Sequence, residues 1–368
     1  MTKVLHVVEA FSGGIVQSIA TICRALDGLV VFHVLHGQRP DSPDEAKGRY
    51  PDNVEFTPWR AAGRSISPLR DIRAVAELRA VVAAVRPDLI HAHSSKAGAL
   101  ARLAFPCGGL PVVYSPRGYS FLQLDKGMLG CAAFWAMERL LGVLPHITVG
   151  CGLGEYGLAR RVASRSVLIP NMIEPNDFNA ALCLRPNETA PLRIAMAGGI
   201  RPQKNFPLFC KIAAALSDGP MRFIWVGDGD NPISASISAS LPPNMEITGW
   251  LKRSEVLRVV SGCHVYMQTS LWEGLPLAML EAMALGLPVL AYPAIGNSEL
   301  VIEGANGYLC PDAGSFIKHL AAFDCDRAAL MRMGEASRCH AIENHAVDRI
   351  AQRWLSLYRH YERYRTHG

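Results

Sequence analysis

The sequence predicts an α/β protein with two Rossmann-like, doubly wound domains that face a central cleft. First, short runs of Val, Ile and Leu recur along the chain and are apolar throughout, which is typical of parallel strands buried under helices on both faces. Second, segments with helical spacing separate most of these runs, as in an α/β layout. Third, the runs form two series, and a length of 368 residues suits two domains better than one.

The first series contains six predicted strands, with helical spacing between them in segments such as 15–26 and 69–85. The second series contains five, again with helices between them. In chain order the predicted strands are Val4–Val8, Leu29–Leu35, Leu89–His91, Val112–Ser115, Ile147–Val149, Val167–Ile169, Leu192–Ala197, Phe223–Val226, Met245–Thr248, Val265–Gln268 and Val289–Ala291.

A segment rich in Pro and Asn, Asn171–Leu192, separates the two series and predicts a domain linker. Residues 1–175 form the predicted first domain and residues 176–345 the second. Residues 346–368 are expected to form a closing helix that packs back on the first domain, because they carry an apolar stripe at helical spacing. The stripe consists of Ile350, Trp354, Leu357 and Tyr361.

Composition and charge exclude several classes of protein. Half of the residues are apolar and 19% are charged, which excludes a disordered chain or a coiled coil. The net charge of +5 is too small for a nucleic-acid-binding protein, although it is compatible with an anionic substrate or membrane surface. The ten cysteines include no pair separated by two to four residues, so a thiolate zinc site is not expected.

The sequence shows neither signal-peptide features nor an uncharged apolar span of about 20 residues. The expected location is therefore the cytoplasm, where thiols stay reduced. The apolar segment 119–141 leaves two interpretations open. It is either an ordinary buried helix or a surface that contacts a lipid carrier or the inner face of the cytoplasmic membrane.

Ligands of doubly wound domains bind at the C-terminal ends of the strands, so the loops there are the candidate sites. After the first strand, Gly13 and Gly14 open a helix, and their amides can approach an anion; an ordinary tight turn is the alternative. In the second domain, Arg201 and Lys204 flank a Pro-containing loop just before a helix. Because the helix dipole and both cations attract the same charge, this loop predicts a diphosphate site.

The most specific stretch covers residues 270–289. Glu273 lies in the loop before a helix that is expected to begin at Pro276, and Glu281 lies inside that helix. The neighbours of Glu281 are apolar, so its carboxylate needs hydrogen-bond donors, which a pair of ribose hydroxyls would supply. Glu273 is placed to accept hydrogen bonds from sugar hydroxyls.

The spacing of Glu273 and Glu281, within Glu-Gly-Leu-Pro-Leu-Ala-Met-Leu-Glu, resembles the signature of family-four retaining glycosyltransferases with the two-domain GT-B fold. Further matches follow in the family's order, so the resemblance extends over nearly the whole chain. They are Gly13-Gly14, His91-Ala92-His93-Ser94, Asn171, Gly199 to Lys204, Val226-Gly227-Asp228-Gly229 and Asn306-Gly307. The segments around His93 and Arg117 are similar to bacterial members that build surface polysaccharides.

The resemblance implies that the first domain binds the acceptor and the second the donor, a nucleotide diphosphate sugar. Arg201 and Lys204 would hold the diphosphate and Glu281 the ribose, without an obligatory metal or other cofactor. Glu273 would bind the transferred sugar. The other residues that the resemblance places at the substrates are Gly13 and Gly14, which would close against the phosphates, and Gly199, Gly274, Leu275 and Pro276.

Three features depart from the family pattern or suggest a metal site. Many relatives have a histidine where this chain has Arg117, so a catalytic or sugar-positioning histidine does not transfer there, but Arg117 can bind phosphate or an acidic sugar. Asp228-Gly229-Asp230 matches the metal motif of another glycosyltransferase fold, yet it ends a strand here and no metal is expected. His91 and His93 would point the same way from a strand, as an incomplete zinc site. His93 is expected to assist catalysis or contact the acceptor, and a buried core role is the alternative for both.

The expected function is transfer of a sugar, with retention of anomeric configuration, from a nucleotide diphosphate sugar to a polyprenyl-diphosphate-linked glycan. Such a reaction belongs to exopolysaccharide, O-antigen or capsule synthesis, and stabilisation of the leaving diphosphate would be its main catalytic effect. Two alternatives stay open: a nucleotide-sugar 2-epimerase of the same architecture, and a nucleotide-sugar-binding regulator without turnover. No nucleic-acid partner is expected.

Overall fold

The structure of the chain is a computed structural model that describes residues 1–38, 44–63, 65–106, 109–182, 190–229 and 241–366. The chain divides into two compact units, one formed by Met1–Met172 with Val347–Gly368 and the other by Ile173–Ala346. Each unit contains a parallel β-sheet covered by helices, so the predicted α/β class is confirmed. Residues 183–189 of the predicted linker, and Asp230, lie outside the described residues.

The first unit contains a seven-stranded parallel sheet of order β3-β2-β1-β4-β5-β6-β7. Its strands are β1 (Thr2–Val8), β2 (Val30–His36), β3 (Glu55–Pro58), β4 (Leu89–His93), β5 (Val112–Ser115), β6 (Ile147–Gly150) and β7 (Ser166–Leu168). Its helices up to this point are α1 (Gly13–Ala25), α2 (Pro68–Val85), α3 (Ser95–Ala104), α4 (Gly127–Leu141) and α5 (Leu153–Val162).

The second unit contains a six-stranded parallel sheet of order β10-β9-β8-β11-β12-β13. Its strands are β8 (Arg193–Ala197), β9 (Arg222–Val226), β10 (Met245–Ile247), β11 (Val265–Gln268), β12 (Val289–Ala291) and β13 (Gly307–Leu309). Its helices are α6 (Asn179–Leu182), α7 (Phe206–Ala215), α8 (Arg253–Ser261), α9 (Leu277–Ala284), α10 (Ala313–Cys325) and α11 (Arg327–His345).

The chain ends in helix α12 (Val347–Thr366), which belongs to the core of the first unit. Trp354 and Tyr358 are buried there against residues of α1, β1 and β2. Besides Ile350, Trp354 and Tyr361, the buried stripe includes Leu355, and Tyr358 is fully buried in place of the partly buried Leu357. Tyr358 faces the sheet because its phenol oxygen forms a hydrogen bond with His91 in β4, 2.8 Å from Nδ1.

Helix α4 is the most unusual element of the first unit, because its apolar side chains are largely exposed. Met128 is 90% and Leu129 88% exposed, so an ordinary buried helix is the wrong interpretation for this segment. A polar contact anchors the helix instead: Glu138 accepts hydrogen bonds from Arg102 at 2.8 Å and from Tyr114 at 2.7 Å. None of the helices in the described part of the chain is long and apolar enough to span a bilayer.

Candidate active site

The loops that follow β8 and β11 are locked together at the C-terminal edge of the second sheet. The two strands are neighbours in the sheet, so their C-terminal ends meet. The backbone amide of Leu271 donates to the carbonyl of Gln203 at 2.8 Å, and the Thr269 hydroxyl donates to the carbonyl of Lys204 at 2.7 Å. The cationic loop and the Glu273 loop, predicted separately from sequence, therefore form one site.

The centre of this site is an ion pair between Lys204 and Glu273, with Nζ 2.8 Å from Oε1. Two side-chain amides complete the cradle of the carboxylate, because Gln268 donates to Oε1 at 3.2 Å and Gln203 donates to Oε2 at 3.1 Å. Glu273 is buried and Lys204 is mostly shielded from solvent. The pair is thus fixed by the protein before any ligand binds. Both glutamines were missed in the sequence, where nothing distinguishes them from ordinary polar residues.

The loops after β8 and β9 are also in close contact, which shapes the loop that carries Arg201 and Lys204. A Cβ on Gly227 would lie 2.3 Å from the carbonyl oxygen of Gly198, and that oxygen also accepts from the indole of Trp225 at 2.9 Å. Gly227 has φ of +142°, so both conformation and space require glycine there. Arg201 precedes a short 3-10 helix, Pro202–Lys204, which leads into α7, so both cations lie before a helix N-terminus as predicted.

Residues Gly274 to Pro276 connect Glu273 to helix α9. The helix begins at Leu277, with Pro276 as its N-cap rather than its first residue. Gly296, which sequence reasoning missed, has φ of +85° and packs under this loop. A Cβ at Gly296 would lie 2.8 Å from the carbonyl oxygen of Gly274, so a larger residue would displace the Glu273 loop.

Glu281 has a partner that sequence reasoning missed. Arg253, the first residue of α8, places Nη2 2.8 Å and Nε 3.2 Å from Oε1 of Glu281. Nη1 of Arg253 lies 3.2 Å from Oδ2 of Asp177. The expected need of Glu281 for donors is therefore met, at least on one oxygen, by an arginine rather than by a ligand.

In the first unit, Gly13 and Gly14 are exposed at the N-terminus of α1, directly after β1. Their position agrees with either the anion site or the tight turn. His93 ends β4 and is fully buried, so the expectation that it contacts an acceptor directly is not supported by its position. His91 is also fully buried and bonds through both ring nitrogens, to Tyr358 and to Ser115, which is the core role.

A third histidine, His6, completes a buried cluster with His91 and His93. Nδ1 of His6 lies 2.9 Å from Nε2 of His93, and the ring nitrogens of all three lie within 4.8 Å of one another. Burial lowers the pKa of His6 to about 3 and those of His91 and His93 well below the ordinary value, with further lowering by the nearby Arg117 guanidinium. A divalent cation in this cluster would lie close to that positive charge, which disfavours a metal site.

Arg117 follows β5 in left-handed backbone, with φ of +58°. Its Nη1 donates to Oδ1 of Asn171, whereas Nε and Nη2 are buried without a hydrogen-bond partner. Among the described residues no carboxylate pairs with Arg117. Ser94, at the end of the neighbouring strand β4, likewise has a positive φ of 79° and an unbonded, buried hydroxyl. Such strained positions with unmet donors are typical of binding sites.

Comparison with known proteins agrees with this architecture. The family model described as "Glycosyl transferase 4-like domain" matches residues 13–165, and "Glycosyl transferases group 1" matches residues 191–323. Together the two models cover about three quarters of the chain.

Among curated proteins, the UDP-Gal:alpha-D-GlcNAc-diphosphoundecaprenol alpha-1,3-galactosyltransferase of Escherichia coli is 27% identical over 292 residues, 72% of this chain and 73% of that enzyme. The amylovoran biosynthesis glycosyltransferase AmsK of Erwinia amylovora is 28% identical over 151 residues, 38% of this chain and 37% of AmsK. The crystal structure of Anabaena Alr3699/HepE in complex with UDP and glucose superposes with a TM-score of 0.77 at 16% identity, over 97% of this chain and 99% of HepE. The chain therefore belongs to the GT-B glycosyltransferases that join a glycosyl transferase 4-like domain to a group 1 domain, and it is related to enzymes of bacterial polysaccharide biosynthesis.

Proposed function

We propose that this glycosyltransferase transfers a sugar from a nucleotide diphosphate sugar to a lipid-linked glycan, with retention of anomeric configuration. The observation that carries the proposal is the Lys204–Glu273 pair, fixed between two loops before the N-terminus of α7. The acceptor class is supported by the Escherichia coli relative, whose name specifies a diphosphoundecaprenol-linked acceptor.

In the proposed mechanism, Lys204 and Arg201 stabilise the negative charge that develops on the departing nucleoside diphosphate. The helix dipole of α7 adds positive potential at the same place. Because the two glutamines hold Glu273 and Glu273 holds Lys204, little reorganisation is needed when the bond to the sugar breaks. The amides of Gly199, Gly13 and Gly14 are proposed as further donors to the phosphates, and those of Gly274 and Leu275 as donors to the sugar.

Glu273 is poorly suited to act as a nucleophile. Both of its oxygens accept hydrogen bonds from fixed side chains, and one of these bonds is an ion pair. A carboxylate held in this way would lose three interactions on attacking the anomeric carbon. The arrangement favours same-face attack, in which the acceptor hydroxyl approaches beside the departing phosphate, over a covalent glycosyl-enzyme intermediate.

Arg117 is the residue of the first unit that we propose for the acceptor. Its unbonded Nε and Nη2 are two donors suited to an anionic group such as a phosphate or the carboxylate of an acidic sugar. His93 lies behind it in the buried cluster, where it is proposed to shape the site rather than exchange a proton.

The direct test is a screen of nucleotide sugars by thermal shift, followed by mass spectrometry of the products with undecaprenyl-diphosphate-linked acceptors. We expect one donor class to stabilise the protein and a glycosylated acceptor to form, with the donor's anomeric configuration by NMR. A donor epimerised at C2 without an acceptor would identify the epimerase alternative. Binding with neither transfer nor donor hydrolysis would identify the regulator.

Metal independence follows from the same proposal. The carboxylate oxygen Oδ1 of Asp228 accepts from the backbone amide of Gly229 at 2.7 Å, as in a structural turn. We expect EDTA to leave the transfer rate within about twofold of the untreated rate, because Lys204 and Arg201 supply the positive charge. A rate that requires Mn²⁺ or Mg²⁺ and is abolished in Asp228→Asn would contradict this prediction.

The exposed helix α4 is proposed to contact the membrane that carries the acceptor. Met128 and Leu129 present exposed apolar side chains, and the half-exposed Lys126 beside them forms an ion pair with Asp125 at 3.3 Å. The double variant M128S/L129S should bind vesicles with anionic phospholipid at least ~10-fold more weakly than the wild type. It lacks two large apolar side chains whose transfer from water into the membrane would favour binding. Its thermal stability should hardly change, since both side chains are exposed.

The matched control for this prediction is Ile302→Ser, which removes an exposed apolar side chain from the second unit. Vesicle cosedimentation measures all three proteins. Equal binding by the wild type and M128S/L129S would show that α4 does not contact lipid.

A further inference from the structure

Arg253 connects two carboxylates of the second unit. Its Nε and Nη2 both point to Oε1 of Glu281, at 3.2 and 2.8 Å, and its Nη1 lies 3.2 Å from Asp177. The guanidinium also lies 5.9 Å from the ring centroid of Phe178. All three charged side chains are only partly exposed, at 20%, 14% and 17% for Arg253, Glu281 and Asp177. The contacts therefore hold the guanidinium in one orientation.

We propose that Arg253 is a positioning residue that presents Glu281 to the ribose of the donor. This inference rests on the proposed function and on the sequence-based expectation that Glu281 binds the ribose of the donor. A carboxylate has about four lone-pair sites on its two oxygens. Arg253 occupies two of them on Oε1, and among the described residues none donates to Oε2. Two sites thus remain on Oε2, the number that the 2′ and 3′ hydroxyls of a ribose need.

Asp177 is the reason that Arg253 stays in this position when a donor arrives. The diphosphate of the donor would attract a mobile arginine, and an arginine that turned away would leave the Glu281 carboxylate unoriented. Asp177 lies in the segment Pro175–Phe178, on the other side of the guanidinium, and holds Nη1 by a second ion pair. The triad then has one unit of negative charge, which opposes movement of Arg253 toward the phosphates.

A purely structural role of Arg253, as a link between helices α8 and α9, would affect stability but not the discrimination of ribose from deoxyribose. The experiment therefore compares a nucleoside diphosphate with its 2′-deoxy counterpart by calorimetry. The probe is whichever of UDP, GDP or ADP the wild-type protein binds most tightly. The proteins are the wild type, Glu281→Gln, Arg253→Gln, Arg253→Lys, the double variant E281Q/R253Q, and Arg258→Gln as the control, an exposed arginine of the same helix.

We expect the wild type to prefer the ribose form about 10-fold, as for a hydrogen bond to a charged group. Glu281→Gln and Arg253→Gln should each reduce the preference to about twofold or less, and the double variant should lose no more than either alone. Arg253→Lys should keep part of the preference for the ribose form, and the control Arg258→Gln should keep the full preference. In turnover, Arg253→Gln should raise the donor KM and leave kcat within about threefold.

Two results separate this inference from the proposed function. Full ribose preference in Arg253→Gln, together with its loss in Glu281→Gln, would overturn the positioning role and leave the proposed function intact. Full preference in Glu281→Gln would contradict the ribose-binding role of Glu281, whereas a wild type that binds none of the three diphosphates would contradict the proposed function itself. Should Arg253→Gln fail to fold, Asp177→Asn replaces it, with the same expected loss of preference through release of the guanidinium.

Discussion

Replacing Lys204 by alanine should lower the rate of sugar transfer by about 10²–10³-fold while the protein stays folded. The structure holds Nζ of Lys204 in an ion pair, 2.8 Å from Glu273, and ties its loop to the Glu273 loop through Thr269. Its charge would act mainly in the transition state, when the leaving diphosphate gains negative charge. The loss should therefore be larger in kcat than in donor binding.

The measurement is steady-state kinetics with the donor found in the screen, accompanied by thermal shift to establish folding. Lys211→Ala is the matched control, because Lys211 is an exposed lysine on the following helix, α7. Arg201→Ala should behave like Lys204→Ala. Unchanged turnover in both Lys204→Ala and Arg201→Ala would exclude the proposed diphosphate site.

The sheets were predicted well from sequence because their physical signal is local. Strands that are buried on both faces need apolar runs; β8 and β12 each have a continuous one, and in β1 only His6 interrupts the run from Val4 to Val8. Two strands were missed because they lack that signal. β3 (Glu55–Pro58) has Phe56 as its one large apolar residue and lies at an edge of the sheet, and β13 (Gly307–Leu309) begins with glycine and has only two apolar residues.

The site was predicted only where its residues lie in recognisable loop motifs. Glu273 and Lys204 could be found because each lies in a recognisable loop, and the neighbouring strands β8 and β11 then bring the loops together. Arg253 could not be predicted from a loop motif. It lies 28 residues before Glu281, on helix α8, and no local sequence pattern predicts the contact between them. Sequence reasoning also assigned the donors of Glu281 to a ligand, where the fold supplies two of them itself.

The histidine cluster could be predicted from sequence only in part, because its third member comes from another strand. His91 and His93 were recognised as a pair on one strand, but His6 joins them only because β1 and β4 are adjacent parallel strands that place His6 opposite His91. The same three rings also face Arg117 and the Tyr358 hydroxyl of α12, from elements far apart in sequence. This assembly makes the stability of the first unit sensitive to pH.

The first unit should lose stability as the pH falls below 6.5. The pKa of a histidine in the unfolded chain is about 6.5, whereas burial keeps the folded-state pKa of His6 near 3 and lowers those of His91 and His93 well below the ordinary value. Below pH 6.5 the unfolded state therefore binds protons that the folded state does not. The free energy of unfolding falls as pH falls, by about 1.4 kcal/mol per pH unit for each histidine. Above pH 7 all three are neutral in both states and the effect vanishes.

Because burial also lowers the pKa values of His33, His36 and His146 in the same unit, the first unit should be less stable at pH 5.5 than at pH 7, with about 1 kcal/mol of the loss coming from His6. Hydrogen exchange of peptides from β1 and β4, corrected for the pH dependence of intrinsic exchange, measures the opening free energy at each pH. The control is the same β1 and β4 peptides in His6→Gln, because the second unit has histidines of its own: His264 is hydrogen-bonded to β8, and the pKa values of His319 and His340 are lowered by burial. In His6→Gln, which keeps a hydrogen-bonding side chain but does not titrate, the loss of stability between pH 7 and pH 5.5 should shrink by about 1 kcal/mol, because one proton uptake is removed. An unchanged loss in His6→Gln, or a first unit as stable at pH 5.5 as at pH 7, would mean that these rings take up protons within the folded state.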